Sequence, residues 1–354
     1  MKPSGKLPPS ILAVGDIHFN KDAKLQGDEL IDRLLVIAKE AKPSIIVLLG
    51  DILDTHETVK NVPWKQAEAL FKGLSELAHT YVLIGNHDLC SASEFLTDNH
   101  FFNPYKVWNN ITIVDKPLKI TLSGKKFVLC PYVSPGRFVE ALNTLFDEGE
   151  DWRDATCIFG HQEFAGAIYN DRDSVKGDAW SDELPPVISG HIHEECQIGD
   201  NIFYVGSSRQ VKFNENPIKK VWKITFGAKR TVDKIELGLK AKKEVELDYE
   251  DVKTFDFGMC ESYYIKLKIK GDSEQFKLFR KHPLHAKLIR SGVKIHFVNK
   301  PAQSQSLVKN LASALKDQLS FENILGELVK GKRPSIQDAY NEVYLANALE
   351  SISK

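Results

Sequence analysis

The chain has 354 residues, of which 42% are hydrophobic and 27% charged, with a formal net charge of −1. That length exceeds one ordinary domain, and the near-zero charge excludes a molecule-wide attraction to nucleic acid or membrane, so any surface for a polyanion must be local. Cysteines at 90, 130, 157, 196 and 260 form an odd, scattered set, which fits a reducing compartment better than a disulfide framework.

Pro3, Pro8 and Pro9 interrupt the N-terminus where a signal peptide needs a long apolar stretch, and no later run reaches membrane-spanning length, so a cytosolic protein is expected. Ile11 to Val14 predicts a short buried strand that delivers Gly15-Asp16-Ile17-His18. From Asp28 to Ala41 the apolar residues Leu30, Ile31, Leu34, Leu35, Ile37 and Ala38 recur at helical spacing. Ser44 to Leu49 is a second strand, ending at Gly50-Asp51-Ile52-Leu53-Asp54. A helix opened by Pro63 buries Ala67, Leu70, Phe71, Leu74 and Leu77, and Tyr81 to Ile84 is a third strand leading into Gly85-Asn86-His87-Asp88. Strand, helix, strand, helix, strand implies parallel pairing with right-handed crossovers.

After Asn110 the pattern shortens. Strands at Ile111 to Val114, Lys119 to Leu122 and Phe127 to Cys130 suggest a mixed or antiparallel second sheet. A helix at Phe138 to Phe146 follows, then strands at Ala155 to Phe159 and Val187 to Ser189 that deliver Gly160-His161 and Gly190-His191-Ile192-His193. Ile202 to Val205, Val221 to Phe226 and Thr231 to Leu237 complete a strand-rich second half, giving two sheets face to face with helices outside.

Leu239 to Asp256 reads as a charged connector with little periodicity, which places a boundary there and divides the chain into 1–238, 239–300 and 301–354. Ser262 to Ile269 alternates apolar and basic residues, the mark of a half-exposed strand; Ser273 to Lys281 is a helix and Val293 to Val298 a further strand. Between Met259 and Lys300, ten Lys plus Arg stand against three Asp plus Glu, a local basic excess. Helices are expected at Leu307 to Leu319, Phe321 to Val329 and Ser335 to Ile352, the last apolar enough to pack on its neighbours or on a partner.

Five strand-to-loop junctions thus end in Asp, Asn or His behind a glycine. Taken singly, Asp16 could be a turn residue and His161 a core histidine. Together, carboxylate, imidazole and carboxamide donors suit borderline-hard divalent ions, and the absence of a thiolate from these junctions disfavours a structural zinc site. The expected arrangement is Asp16, His18 and His193 on one ion, Asn86, His161 and His191 on a second, and Asp51 shared. In Asp16-x-His18 and His191-x-His193 the two-residue spacing of extended chain points both side chains to one side.

In this order, these motifs resemble those of the calcineurin-like metallophosphoesterases. The resemblance implies an α/β fold, a four-layer sandwich of two mixed β-sheets flanked by helices, with a dinuclear metal centre at the strand ends. Gly160-His161-Gln162-Glu163, the run Tyr204-Val205-Gly206-Ser207-Ser208 and a small basic domain followed by helices narrow the resemblance. The narrower match is the SbcD-type, or meiotic-recombination-eleven, nuclease subunit in its short phage form. That match implies a manganese-dependent nuclease, with magnesium, iron or zinc as alternative ions, acting in double-strand-break repair with an SbcC-type coiled-coil ATPase. It further implies a β-α-β cap at 239–300 that touches DNA, with Lys266, Lys268, Lys270, Arg280, Lys281 and Arg290 as candidate contacts. Helices within 301–354 would grip the ATPase, and a homodimer would form through the helices at Asp28 to Ala41 and Trp64 to Ala78.

In the mechanism so implied, His87 protonates the departing sugar oxygen and Asp54 or Asp88 orients its imidazole. Nuclease relatives carry a histidine three residues after the shared aspartate; this chain has Asp54 there and His56 two further on, and Glu163 is an additional carboxylate of open role. A phosphatase or phosphodiesterase acting on small or protein substrates is the enzymatic alternative, and would not need the basic segment.

Overall fold

Ile11 to Val14 are apolar without a break, and in the computed structural model they lie inside β1 (Ser10–Val14), buried on both faces as a central strand of a covered sheet should be. The structure describes residues 7–56, 58–169, 172–173, 177–300, 329 and 334–340. Helix α1 (Lys24–Ala41) returns the chain to β2 (Ile45–Leu48), and α2 (Asn61–Ser75) to β3 (His79–Leu83). Lys42 ends α1 in the left-handed region, its N–H returning 3.1 Å to Ala38 O, and Pro43 prevents continuation.

Next come β4 (Ile111–Val114), β5 (Leu118–Leu122), β6 (Lys125–Cys130), α3 (Phe138–Asp147) and β7 (Cys157–His161). After the short pair β8 (Ile168–Tyr169) and β9 (Arg172–Asp173), the strands are β10 (Val187–Gly190), β11 (Cys196–Ile198), β12 (Ile202–Tyr204), β13 (Lys220–Phe226) and β14 (Arg230–Glu236). They form two six-stranded mixed sheets, ordered β14-β13-β1-β2-β3-β4 and β11-β12-β10-β7-β6-β5.

Two expectations about sheet membership are corrected. Ile111–Val114 belongs to the first sheet, parallel to β3, and β13 also returns there, antiparallel to β1 with Ile11 opposite Ile224. A strand's own pattern shows that one of its faces is buried; which sheet supplies its partner is decided by non-local packing.

The pleat sorts each strand's side chains into layers. Leu12 and Val14 join Leu30, Leu34, Leu70 and Phe71 beneath α1 and α2. Ile11 and Ala13 face the opposite way and meet Phe127, Leu129 and Phe159 of the second sheet. On that sheet's outer side Val128 and Ile158 pack with Phe138, Leu142 and Leu145 of α3. Helix, sheet, sheet and helix are the four layers. Each buried Leu or Phe contributes about 1.5–3 kcal/mol, which locks the strand register and with it the positions of the strand ends.

Past the end of β4, Asp115 accepts from His100 Nε2 at 3.3 Å and Lys106 Nζ at 2.5 Å, tying down the segment between β3 and β4. Burial alone would raise its pKa, but His100 and Lys106 outweigh it and hold the carboxyl at about 2. A carboxyl depressed in the fold stabilises above its unfolded pKa, near 3.9, and that stability is lost as pH falls toward the folded value. Asp115→Asn is therefore expected to cost about 2 kcal/mol at pH 7 and to flatten the acid limb of the stability curve between about pH 4 and pH 2. Denaturant melts across that range check it.

Contacts divide the chain into two compact units: Met1–Val245 with Asp256–Lys266 and Arg290–Lys294, and Glu246–Phe255 with Leu267–Ile289 and Ile295–Lys354. The stretch read as a connector contains β15 (Ala241–Asp248), and after α4 (Met259–Ser262) comes β16 (Tyr263–Gly271). Between β16 and β17 (Lys294–Asn299) lie two helices, α5 (Ser273–Lys281) and α6 (Pro283–Arg290), where one was expected. The expected β-α-β cap is therefore a strand and a helix short: β15, β16 and β17 pair in that order. Charges hid β15 because they are ion-pair partners of basic residues: Glu244 pairs with Lys266 at 2.7 Å, Glu246 with Lys270, and Asp248 with Lys300 at 3.1 Å. Asp272 caps α5 by accepting from Glu274 N and Gln275 N, both at 2.9 Å.

Of the three expected terminal helices, only α7 (Pro334–Tyr340), which overlaps the start of the third, is described, together with residue 329; the remainder lie outside the described residues. Among the described residues no helix is long and apolar enough to cross a membrane.

Candidate metal centre

The seven expected ligands stand where β1, β2, β3, β7 and β10 end, at the carboxyl edges of both sheets. The glycines ahead of them are required by space and backbone. Gly50 sits at φ +99°, and a Cβ on Gly85 would lie 2.2 Å from Asp51 N. His18, Asp51 and His191 themselves have φ of 51°, 50° and 80°, strained values for residues with a side chain, kept where the surroundings over-determine them. Gly85→Ala is expected to destabilise the fold by about 1–3 kcal/mol and to lower activity far more, because relief of the clash must move Asp51. Thermal melts set beside kcat separate the two effects.

Asp51 is the centre. Its Oδ2 lies 3.5 Å from His18 Nε2 and 3.4 Å from His161 Nε2, while its Oδ1 accepts from His87 N at 2.8 Å. On one side, His18 Nε2 and His193 Nε2 face each other at 3.0 Å, and Asp16 Oδ2 is 3.7 Å from His193 Nε2. On the other, Asn86 Oδ1 is 3.1 Å from His161 Nε2 and 3.0 Å from His191 Nδ1. Donor atoms of Asp16, His18 and His193 fall within 4.8 Å of one another, as do those of Asp51, His161 and His191, and of His18, Asp51 and His87. The structure thus brings all seven together, in the expected two groups about a shared aspartate.

The donor set fits divalent cations. Asp16 Oδ1 accepts from His191 N at 3.0 Å, but Asp16 Oδ2 is buried with no hydrogen-bond partner. A buried carboxylate oxygen left in that state is costly unless a cation satisfies it. His18 Nε2 and His193 Nε2, 3.0 Å apart, either share one N–H···N hydrogen bond or turn both lone pairs to one cation. Burial would raise the pKa of Asp51, yet the facing rings of His161, His18 and His87 hold it well below the usual carboxylate range. Burial pushes His18 down, which keeps its ring neutral and able to donate a lone pair.

The residues around His87 differ from expectation in detail. His87 Nδ1 donates to the Asp54 main-chain carbonyl at 3.2 Å, whereas the Asp54 carboxylate lies 3.3 Å from His18 Nδ1, without hydrogen-bond geometry. Asp88 does not orient His87: it accepts from the backbone N–H groups of Ile52, Leu53 and Gly85, and burial with the charge of Asp51 raises it to about 7. His56 stacks on His87 at 4.7 Å between centroids, and Glu163 Oε2 stands 3.6 Å from His191 Nε2.

Two residues that sequence reasoning missed support the centre. Glu215 Oε1 lies 2.8 Å from His193 Nδ1, and Arg209, buried, donates to the carbonyls of Ile17 and His18 and so holds the first loop. Both lie in a loop with no periodicity; Arg209 directly follows the Gly206-Ser207-Ser208 run, the nearest available signal.

The six candidate DNA contacts are placed as follows. Lys266, Lys268 and Lys270 alternate along β16 with buried Ile265, Leu267 and Ile269, as their spacing predicts. Lys266 and Lys270 are ion-paired, Arg280 lies 4.8 Å over the Phe297 ring, and Lys281 and Arg290 are exposed.

A family model described as Calcineurin-like phosphoesterase matches residues 9–195. Phosphoesterase 078R of Invertebrate iridescent virus 3 is 33% identical over 324 residues, covering 91% of this chain and 92% of its own length. Phosphoesterase 244L of Invertebrate iridescent virus 6 is 35% identical over 280 residues, covering 77% of this chain and 97% of its own. Among solved structures the chain is similar to a dimetal phosphatase from Danio rerio, at 11% identity over 66% of this chain and 97% of that one, with a TM-score of 0.44. With more than half its residues matching the family model and two viral relatives aligned along most of its length, the chain belongs to the calcineurin-like phosphoesterase family.

Proposed function

We propose that this phosphoesterase cleaves phosphodiester bonds of DNA, with manganese at both metal positions. The observation that carries the reading is His87, held beside ligand Asn86 with its Nδ1–H on the Asp54 carbonyl, which fixes the ring and frees Nε2, the atom that delivers a proton when the ring enters the reaction as imidazolium. A sugar alkoxide is a poor leaving group and gains from such a donor, whereas an activated ester does not. Asp16, His18 and His193 would hold one divalent ion and Asn86, His161 and His191 the other, with Asp51 common to both; bound there, the ions neutralise the phosphate and lower the pKa of a held water toward about 7. The excess of Lys and Arg between Met259 and Lys300 supports a polyanionic substrate.

In the same reading the chain acts as exonuclease on duplex DNA and endonuclease on single strands, as a homodimer in the cytoplasm, a host's if the chain is viral. Residues 301–354 serve an SbcC-type coiled-coil ATPase. One observation favours the alternative of a small or protein phosphoester: Lys266, Lys270 and Lys300 are each neutralised by an acidic partner. Turnover of duplex DNA, single-stranded DNA, an aryl phosphodiester and an aryl phosphomonoester, each with manganese, separates them. DNA cleavage supports the proposal; hydrolysis of the aryl esters with none of DNA overturns it. A pull-down with an SbcC-type ATPase, with and without 303–354, tests the partner.

A further inference from the structure

We propose that Glu215 is a positioning residue that makes the Asp16, His18, His193 position the tighter of the two cation sites. The proposal rests on the dinuclear reading of the centre and not on the identity of the substrate. Glu215 is 2.8 Å from His193 Nδ1 through Oε1, and its Oε2 accepts from Val211 N at 2.8 Å. Lys219 Nζ lies 3.4 Å from the same Oε2 and donates to His193 O at 3.1 Å, so one buried lysine braces both partners. Gln210 Nε2 donates to Glu215 O at 2.9 Å, and the loop is folded around this carboxylate.

An ionised carboxylate only accepts, so it keeps the proton on His193 Nδ1 and leaves the lone pair on Nε2. That atom faces His18 Nε2 at 3.0 Å. The negative charge behind the ring also raises its basicity as a ligand. The second position is supported differently. His161 Nδ1 donates to the Leu49 carbonyl at 2.6 Å, and Asn86 offers a neutral amide oxygen where the first position has the Asp16 carboxylate. Glu163 Oε2 lies 3.6 Å from His191 Nε2. With Lys219 offsetting part of the Glu215 charge, the difference rests on the ligands themselves: a divalent cation meets the Asp16 carboxylate at the first position and a neutral amide at the second.

The test is Mn²⁺ binding to metal-free full-length protein, by calorimetry and by the electron paramagnetic resonance signal of free Mn²⁺. Two affinity classes are expected in the wild type. Glu215→Gln weakens the tighter class by about 10–100-fold and leaves the weaker class within about threefold. In ¹⁵N spectra of the metal-free protein, with the His193 signals assigned from a His193→Gln sample, the ring shifts away from the Nδ1–H tautomer. Equal weakening of both classes, or none, overturns the proposal. If Glu215→Gln fails to fold, Glu215→Asp is read instead, with selective weakening of the tighter class supporting the proposal and equal or absent weakening overturning it. A wild type with no second class would instead remove the dinuclear reading itself.

Discussion

Replacing His87 with glutamine is expected to lower kcat on an alkyl phosphodiester by about 10²–10⁴-fold, the range for losing a positioned general acid, with both metal positions still filled. His87 is set by its neighbours on three sides. Its N–H holds Asp51 Oδ1, its Nδ1 lies on the Asp54 carbonyl, and its ring meets that of His18 edge-on at 4.9 Å. The backbone bond survives the substitution, so Asp51 stays where it is and the loss falls on proton delivery. An aryl phosphodiester with an activated leaving group should lose no more than about tenfold, because little charge then needs a proton. Paired kcat values on the two substrates, with metal content measured on the same samples, decide the matter. A loss equal on both, accompanied by loss of metal, would make His87 a ligand, a role its place beside His18 and Asp51 also permits.

The ligands were legible before the fold because strand-end chemistry leaves a local trace: an apolar run, a glycine where no Cβ fits, then the donor. Asp16 and His191 are 175 residues apart, yet each carries that trace, and Asp16 Oδ1 meets His191 N at 3.0 Å. Glu215 carries none. It lies in an irregular loop, and its value comes wholly from the ring of His193 on another loop. Sheet membership of Ile111–Val114 and Lys220–Phe226 was equally silent, since alternation reports a buried face and not its neighbour. At β15 the obstacle was charge: Glu244 and Glu246 read as linker residues until Lys266 and Lys270 are seen to pair with them. The orientation of His87 was half legible. Asp54 supplies it, but through its carbonyl, and sequence spacing cannot distinguish a residue's side chain from its main chain.

Asp51→Asn is expected to have the largest effect of any single isosteric change. The replacement keeps the volume and still offers an oxygen to His87 N–H, and asparagine tolerates the φ of +50° that Asp51 adopts, so the fold should survive. What changes is the atom between the two histidines. Asp51 Oδ2 stands 3.5 Å from His18 Nε2 and 3.4 Å from His161 Nε2, at the junction of both ligand groups. An amide there contributes no charge and, with its nitrogen turned inward, directs N–H groups at the space the cations need. Loss of a shared anionic ligand weakens both positions by at least the roughly 10–100-fold typical of a supporting residue, and kcat/KM should fall by about 10³-fold or more, near 4 kcal/mol of transition-state stabilisation. Asn86→Ala makes the contrast, since Asn86 Oδ1 meets His161 and His191 and should empty their position alone. Metal analysis after gel filtration reads both variants directly: if Asp51→Asn retained both ions, Asp51 would not be the ligand common to the two groups.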